Sequence, residues 1–181
     1  MMEDLSLHIL DIVENAVAAD ATRITVTINE NERRNLLTVR ISDNGRGMSK
    51  KDARRALDPF FTTKGKRTGL GLPLLAQAAE HCGGGAVLTT VPNQGTKVAA
   101  RFCYRHIDRP PLTAMAATIT ALVFGHPEID FRYGHRVNGR VFRFASREFL
   151  GDRRSTPCLC PSIFRAAKKN LQTGLKKIGR T

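Results

Sequence analysis

Two short stretches of alternating side chains, Arg23-Ile24-Thr25-Val26-Thr27-Ile28 and Leu37-Thr38-Val39-Arg40-Ile41, follow directly on a segment whose apolar residues recur at helical spacing. Alternation with period two makes each stretch a strand with one apolar and one polar face, and the polar run Asn29–Asn35 between them reads as a hairpin. In the preceding segment, residues ~4–19, Leu5, Ile9, Ile12, Val13, Ala16 and Val17 form one stripe of an amphipathic helix. A one-faced hairpin beside a one-striped helix removes its apolar surface from water by laying the helix across the sheet.

The chain then repeats the theme. A short helix is predicted over Lys50–Leu57, stopped by Pro59, and Gly65–Gly71 is a Gly/Lys/Arg stretch. A helix over Leu72–His81 ends at Gly83-Gly84-Gly85. Two strands follow, Ala86–Val91 and Thr96–Tyr104, joined by Pro92-Asn93-Gln94-Gly95. Residues 1–104 therefore read as a two-layer α/β sandwich with helices on one face of a mixed sheet. Past Arg109-Pro110-Pro111 the composition shifts, and residues 105–181 read as a small α+β C-terminal extension. It holds a helix (Leu112–Phe124), strands at Asp130–Tyr133 and Val141–Phe144 around the Asn138-Gly139 type I′ turn signal, and a basic helix (Ser162–Lys177).

Charge separates the two regions. Residues 1–102 carry 14 Lys/Arg against 11 Asp/Glu, whereas residues 103–181 carry 15 against 5, which accounts for most of the net charge of +13. Such a tail fits nucleic acid, an acidic partner or simply a solvated basic face. The Lys168-Lys169 and Lys176-Lys177 pairs lack interleaved aromatic residues, so nucleic acid is only weakly supported. No apolar run approaches the ~18–20 residues of a membrane span. The acidic start Met1-Met2-Glu3-Asp4 lacks the basic flank of a secretory signal, so the chain reads as cytoplasmic. Cys82, Cys103, Cys158 and Cys160 read as free thiols, and the C-x-C pair lacks usual zinc spacing.

Four stretches carry chemistry. In Asp11-Ile12-Val13-Glu14-Asn15, Asp11 and Asn15 share one helix face, where a carboxylate can act as a base and an amide oxygen can ligate Mg²⁺. The same spacing also serves an exposed polar face. Asp43-Asn44-Gly45-Arg46-Gly47-Met48 ends a strand in an acid and two spaced glycines, which suits a carboxylate at a pocket floor or a plain Asn-Gly turn. Asp58-Pro59-Phe60-Phe61-Thr62-Thr63-Lys64 sets an aromatic anchor before hydroxyls and a cation. Thr68-Gly69-Leu70-Gly71-Leu72 opens a helix whose first N–H groups, with Lys64, Lys66 and Arg67 nearby, favour phosphate. Neither a Walker loop nor a dinucleotide fingerprint is present.

In this order and spacing the four stretches resemble the superfamily of gyrases, Hsp90-type chaperones, histidine kinases and mismatch-repair ATPases, over about residues 5–102. The first stretch resembles the mismatch-repair branch, and Pro59–Lys64 with the Gly-Leu-Gly-Leu helix the histidine-kinase and anti-sigma-kinase branch. The chain from His106 to Leu112 and beyond is also similar to stand-alone bacterial members. The resemblance implies a Bergerat-type fold and an ATP site with magnesium. It implies that Asn15 holds Mg²⁺ and Asp43 the adenine amine, and that Gly45, Gly47 and Met48 form the nucleotide wall. Lys64, Gly69, Leu70, Gly71 and Leu72 would form the phosphate lid and the start of its helix, and the Thr96 hydroxyl would support Asp43. Asp11 stands where hydrolysing members and serine-kinase anti-sigma factors usually carry glutamate, one methylene longer.

Three activities are compatible with that site. One is phosphate transfer in trans to a partner protein, with Asp11 as catalytic base. The first motif begins about ten residues from Met1, so an acceptor histidine is expected on another chain. A second is an ATP-hydrolysing switch whose lid closes on phosphate and engages a target. The third is a nucleotide-responsive binding module with negligible turnover.

Overall fold

The computed structural model describes residues 4–56, 71–151 and 160–180. Helix α1 (Leu5–Val17) leads into strands β1 (Arg23–Asn31) and β2 (Leu36–Asp43). After α2 (Lys50–Arg55) come α3 (Gly71–His81), β3 (Gly85–Val91) and β4 (Gly95–Cys103). The C-terminal region supplies α4 (Met115–Gly125), β5 (Asp130–Val137), β6 (Arg140–Ala145), the short α5 (Arg147–Leu150) and α6 (Pro161–Lys177). The six strands form one sheet in the order β3-β4-β2-β1-β5-β6. Neighbours are antiparallel except β1 and β5, which run parallel. The segment after residue 104 thus adds two strands to the edge of the same sheet.

Alternation decides which face is buried. Ile24, Val26 and Ile28 on β1, Leu37, Val39 and Ile41 on β2, and Val98, Ala100 and Phe102 on β4 all point to the side covered by helices. Phe131 and Tyr133 on β5 continue the layer. Helices α1 and α3 pack together over one part of it, and α4 and α6 over the other. The architecture is a two-layer α/β sandwich on a mixed sheet, as the sequence pattern predicts.

Two boundaries move for identifiable reasons. Strand β1 continues past Ile28 because Asn29, Glu30 and Asn31 still pair with Thr38, Leu37 and Leu36. Helix α4 starts at Met115 rather than Leu112 because the chain before it is tied to the start of α1. The Leu5 N–H donates to the Pro111 carbonyl (2.8 Å), and Asp4 accepts from the N–H of Thr113 (2.9 Å) while capping α1 through the N–H of Ser6 (2.8 Å).

The β1–β5 junction carries a buried polar chain. The His135 ring meets Glu30 through Nε2 (2.6 Å) and the Tyr133 hydroxyl through Nδ1 (2.6 Å), and Arg180, just beyond α6, pairs with the same carboxylate. Burial holds the Tyr133 phenol protonated, so its O–H donates to Nδ1 and the His135 Nε2–H donates to Glu30. A lone carboxylate at this distance would draw a second proton onto the ring. Here Arg180 already neutralises Glu30, and burial pushes His135 down to about 4.

A histidine held below its unfolded value binds fewer protons folded than unfolded, so its contribution is fully present above about pH 6.5 and is lost as pH falls toward about 4. Urea unfolding from pH 7.5 to 4.5 should lose stability on the order of 2–3 kcal/mol from this group. His135→Gln should start less stable and show a shallower decline; the same slope in both proteins would contradict a buried neutral imidazole.

Candidate functional site

Asp43 is the last residue of β2 and pairs with Ile24, which turns its side chain to the helix-covered face at one end of the sheet. Its Oδ1 accepts the N–H of Gly45 (2.8 Å) and the N–H of Thr96 (3.2 Å). Both bonds fall on the same oxygen, so a further N–H donor would meet Oδ2. Burial raises the carboxyl above its ordinary value, and the two N–H bonds offset this only in part.

The loop after Asp43 is clamped between α1 and the β3–β4 turn. The Arg46 N–H donates to the Ala19 carbonyl (2.9 Å), and its guanidinium to the Ala18 carbonyl (2.6 Å). The Arg46 carbonyl in turn accepts from Asn93 (2.7 Å). Gly47 has φ +62°, and a Cβ there would lie 2.1 Å from the Val91 carbonyl oxygen. Only glycine fits that crossing. The Met48 N–H donates to the Thr90 hydroxyl (2.9 Å). Asp43, Gly45 and Thr96 are therefore bonded together, Met48 joins them through Thr90, and Gly47 packs against Val91 between them.

Within it Thr96 works differently from the expectation. Its backbone N–H, not its hydroxyl, reaches Asp43; the hydroxyl lies 3.1 Å from that of Thr90. The reason is register, since Thr90 and Thr96 are direct partners across β3 and β4. Thr90, which no sequence motif marks, joins Met48 to Thr96. Its signal was its position opposite Thr96 on the helix-facing side of β3.

Helix α1 supplies the other wall. Asp11 and Asn15 lie on its exposed side, one turn apart, while His8, another turn earlier, is buried. The Asn15 carbonyl accepts from the N–H of Ala19 (3.0 Å), the residue to which the Arg46 loop is bonded. A Cβ on Gly71 would come within 2.5 Å of the Asp11 Cβ, so α3 starts directly against Asp11. Leu72, the next residue, is half-buried. Lys64, Gly69 and Leu70 lie outside the described residues. The arrangement offers a carboxylate with one oxygen left to meet a donor at one end, and along α1 a carboxylate placed one turn before an amide oxygen of a kind that can ligate a hard cation.

The close approach is testable. Gly71→Ala should force α3 away from α1 and destabilise the protein by about 1–3 kcal/mol in urea. An unchanged midpoint would mean that the two helices do not need the contact.

Residues 3–106 match the family model of histidine kinase-, DNA gyrase B- and HSP90-like ATPases. The sensor protein DegM of Bacillus sp. (strain B21-2) is 30% identical over 90 residues, which cover 50% of this chain and 24% of that protein. The sensor histidine kinase WalK of Bacillus subtilis is 29% identical over 112 residues, 57% of this chain and 18% of that protein. The DNA mismatch repair protein MutL of Thermotoga maritima is 44% identical over 59 residues, 33% of this chain and 11% of that protein. The chain thus spans about a quarter or less of the length of these relatives. The ATPase domain of Aquifex aeolicus MutL, solved with ADP, superposes with a TM-score of 0.53 at 15% identity, covering 96% of this chain and 70% of that one. At such identity the likeness is one of fold.

Proposed function

The chain belongs to the histidine kinase-, DNA gyrase B- and HSP90-like ATPase family, and on that footing we propose that it binds ATP with magnesium and passes the γ-phosphate to a partner protein in trans. The chain is an ATP-binding module of the histidine-kinase or MutL type. The geometry at Asp43 carries the reading. A carboxylate with one oxygen tied to two backbone N–H groups, at the edge of the helix layer, fits an exocyclic amine such as that of adenine.

In this reading Gly45, Gly47 and Met48 line the base, and Thr96 orients Asp43. Gly71 and Leu72 meet the phosphates at the start of α3, where backbone N–H groups and the helix dipole favour negative charge, and Lys64, Gly69 and Leu70 complete the phosphate lid that the family resemblance implies. Asn15 holds magnesium through its amide oxygen, and the metal supplies charge neutralisation at the phosphates. Asp11, one turn before Asn15, takes a proton from the acceptor hydroxyl; a histidine acceptor would need that help less. The matches to sensor kinases support transfer. The 44% identity to MutL over 59 residues favours a second reading, an ATP-hydrolysing switch.

Incubation of the pure protein with γ-labelled ATP and candidate partner proteins separates these. Label on a partner supports transfer, free phosphate supports the switch, and neither leaves a binding module. Asp43→Ala should weaken ATP by about 5- to 150-fold, the cost of an unpaired buried amine, and near-normal affinity in the folded variant would remove the adenine assignment. Because the ionised carboxylate is the acceptor and burial raises its pKa, wild-type affinity should fall with pH earlier than an ordinary aspartate would allow.

Asp11→Asn should leave ATP affinity nearly intact and reduce transfer or hydrolysis by about 10²–10⁴-fold. Unchanged turnover would take the base out of the mechanism.

A further inference from the structure

The sheet face opposite the helices carries a charge pattern that the nucleotide site does not use. On β2 and β4 it presents Arg40, Lys97 and Arg101, and on β5 and β6 Arg132, Arg136 and Arg143, all exposed. Strand β1 runs between the two groups and is neutral there, with Thr25, Thr27 and Asn29. The sheet's one acid on this side, Asp130, is buried and already met by Arg23 (3.2 Å), Arg132 (3.2 Å) and Arg147 (3.5 Å). Glu148 stands at the edge of the groove. Among the described residues, Arg40, Lys97, Arg101, Arg136 and Arg143 have no acid within ion-pair distance, and the face carries no aromatic side chain in the register positions that point outward.

A shallow groove of about 590 Å³ lies along the neutral strip, flanked by Arg40, Arg132, Arg136 and Arg143. Gly134 is in the middle of β5, opposite Arg143, and a Cβ there would meet nothing closer than Thr27 at 4.0 Å. No packing demand accounts for this glycine. A bare strand interior leaves room for a ligand to approach the backbone.

From this geometry we infer that the open sheet face binds double-stranded DNA through its phosphates, without reading sequence. A small anion would use the groove alone, yet Lys97 and Arg101 extend the positive surface well beyond it. A second copy of the chain would set the same cations against each other. Threonine, asparagine and arginine together are the side chains that hold backbone phosphates. A single strand would need aromatic platforms, which the face lacks. With strands about 4.8 Å apart, the midlines of the two cationic groups are about 14 Å apart. That is close to the major groove's width of about 12 Å, so each group meets one of its phosphate edges.

The test is fluorescence anisotropy of the full chain with a labelled random-sequence DNA duplex, titrated at several salt concentrations. Five unpaired cations give a slope of log K against log salt near −4.5, a loss of about 500-fold from 50 to 200 mM. Arg40→Gln/Arg136→Gln/Arg143→Gln should cut that loss to about 12-fold and weaken binding at low salt. Gly134→Val, which changes no charge, should weaken binding by filling the groove. Lys168→Gln/Lys169→Gln/Lys176→Gln removes equal charge from α6 and should change binding little. Melting curves and ATP binding check that each variant is folded. The inference is overturned if the duplex does not bind at 50 mM salt, or if the α6 variant loses as much as the sheet variant. It is equally overturned if single-stranded DNA, duplex RNA or a poly-glutamate peptide binds more tightly than duplex DNA. The nucleotide site lies on the other face, so failure here leaves the ATP reading standing.

Discussion

The pairing register of β1 with β2 governs both faces of this molecule. Val26 stands opposite Ile41, and Ile24 opposite Asp43, which sends the apolar side chains to the helices and Asp43 with them. A slip of one residue would reverse every side chain on the strand, burying Arg40 and turning Asp43 away from α1. The apolar layer under α1 and α3 makes that slip prohibitive. The same hydrophobic pattern that drives folding therefore sets the carboxylate at the sheet's end and the arginines on its open side. Thr96 and Gly45 then complete the placement, because β4 pairs with β2 in a register that brings the N–H of Thr96 to Asp43.

The C-terminal region extends this design. Strand β5 joins β1 in parallel, an arrangement that needs a long crossover and is sealed by the Glu30–His135–Tyr133 chain, with Arg180 reaching back from beyond α6. Buried polar groups of this kind are costly to leave unpaired, so a docking of β5 that separated them would be penalised. The region also supplies half of the positive open face. A chain ending at β4 would have Arg40, Lys97 and Arg101 on the two central strands of a four-stranded sheet, with no second cationic group across from them.

Much of this was legible in the residues. Alternation at Arg23–Ile28 and Leu37–Ile41 and the helical stripe from Leu5 to Val17 state the two-layer core directly, and the Asn138-Gly139 turn states the last hairpin. What stayed hidden was non-local. Glu30 reads as part of a polar turn, yet period two continues through it onto the buried face, and its partners His135 and Arg180 are 105 and 150 residues away. That β5 would lie beside β1 cannot be read from either strand alone. At the site, the close approaches that require Gly47 beside the Val91 carbonyl and Gly71 beside Asp11 are also non-local and invisible in the motifs. Thr90 carries no motif, and only the β3–β4 register reveals it.

The central claim is that Asp43 reads the exocyclic amine of adenine in an ATP site. Calorimetric titration of the same protein with ATP and with inosine triphosphate tests it most directly, because the two ligands share every phosphate and differ where that amine would be. Loss of one hydrogen bond to a half-buried carboxylate should weaken the inosine nucleotide by about 1–3 kcal/mol, roughly 5- to 150-fold. Equal affinity for the two triphosphates would contradict the account.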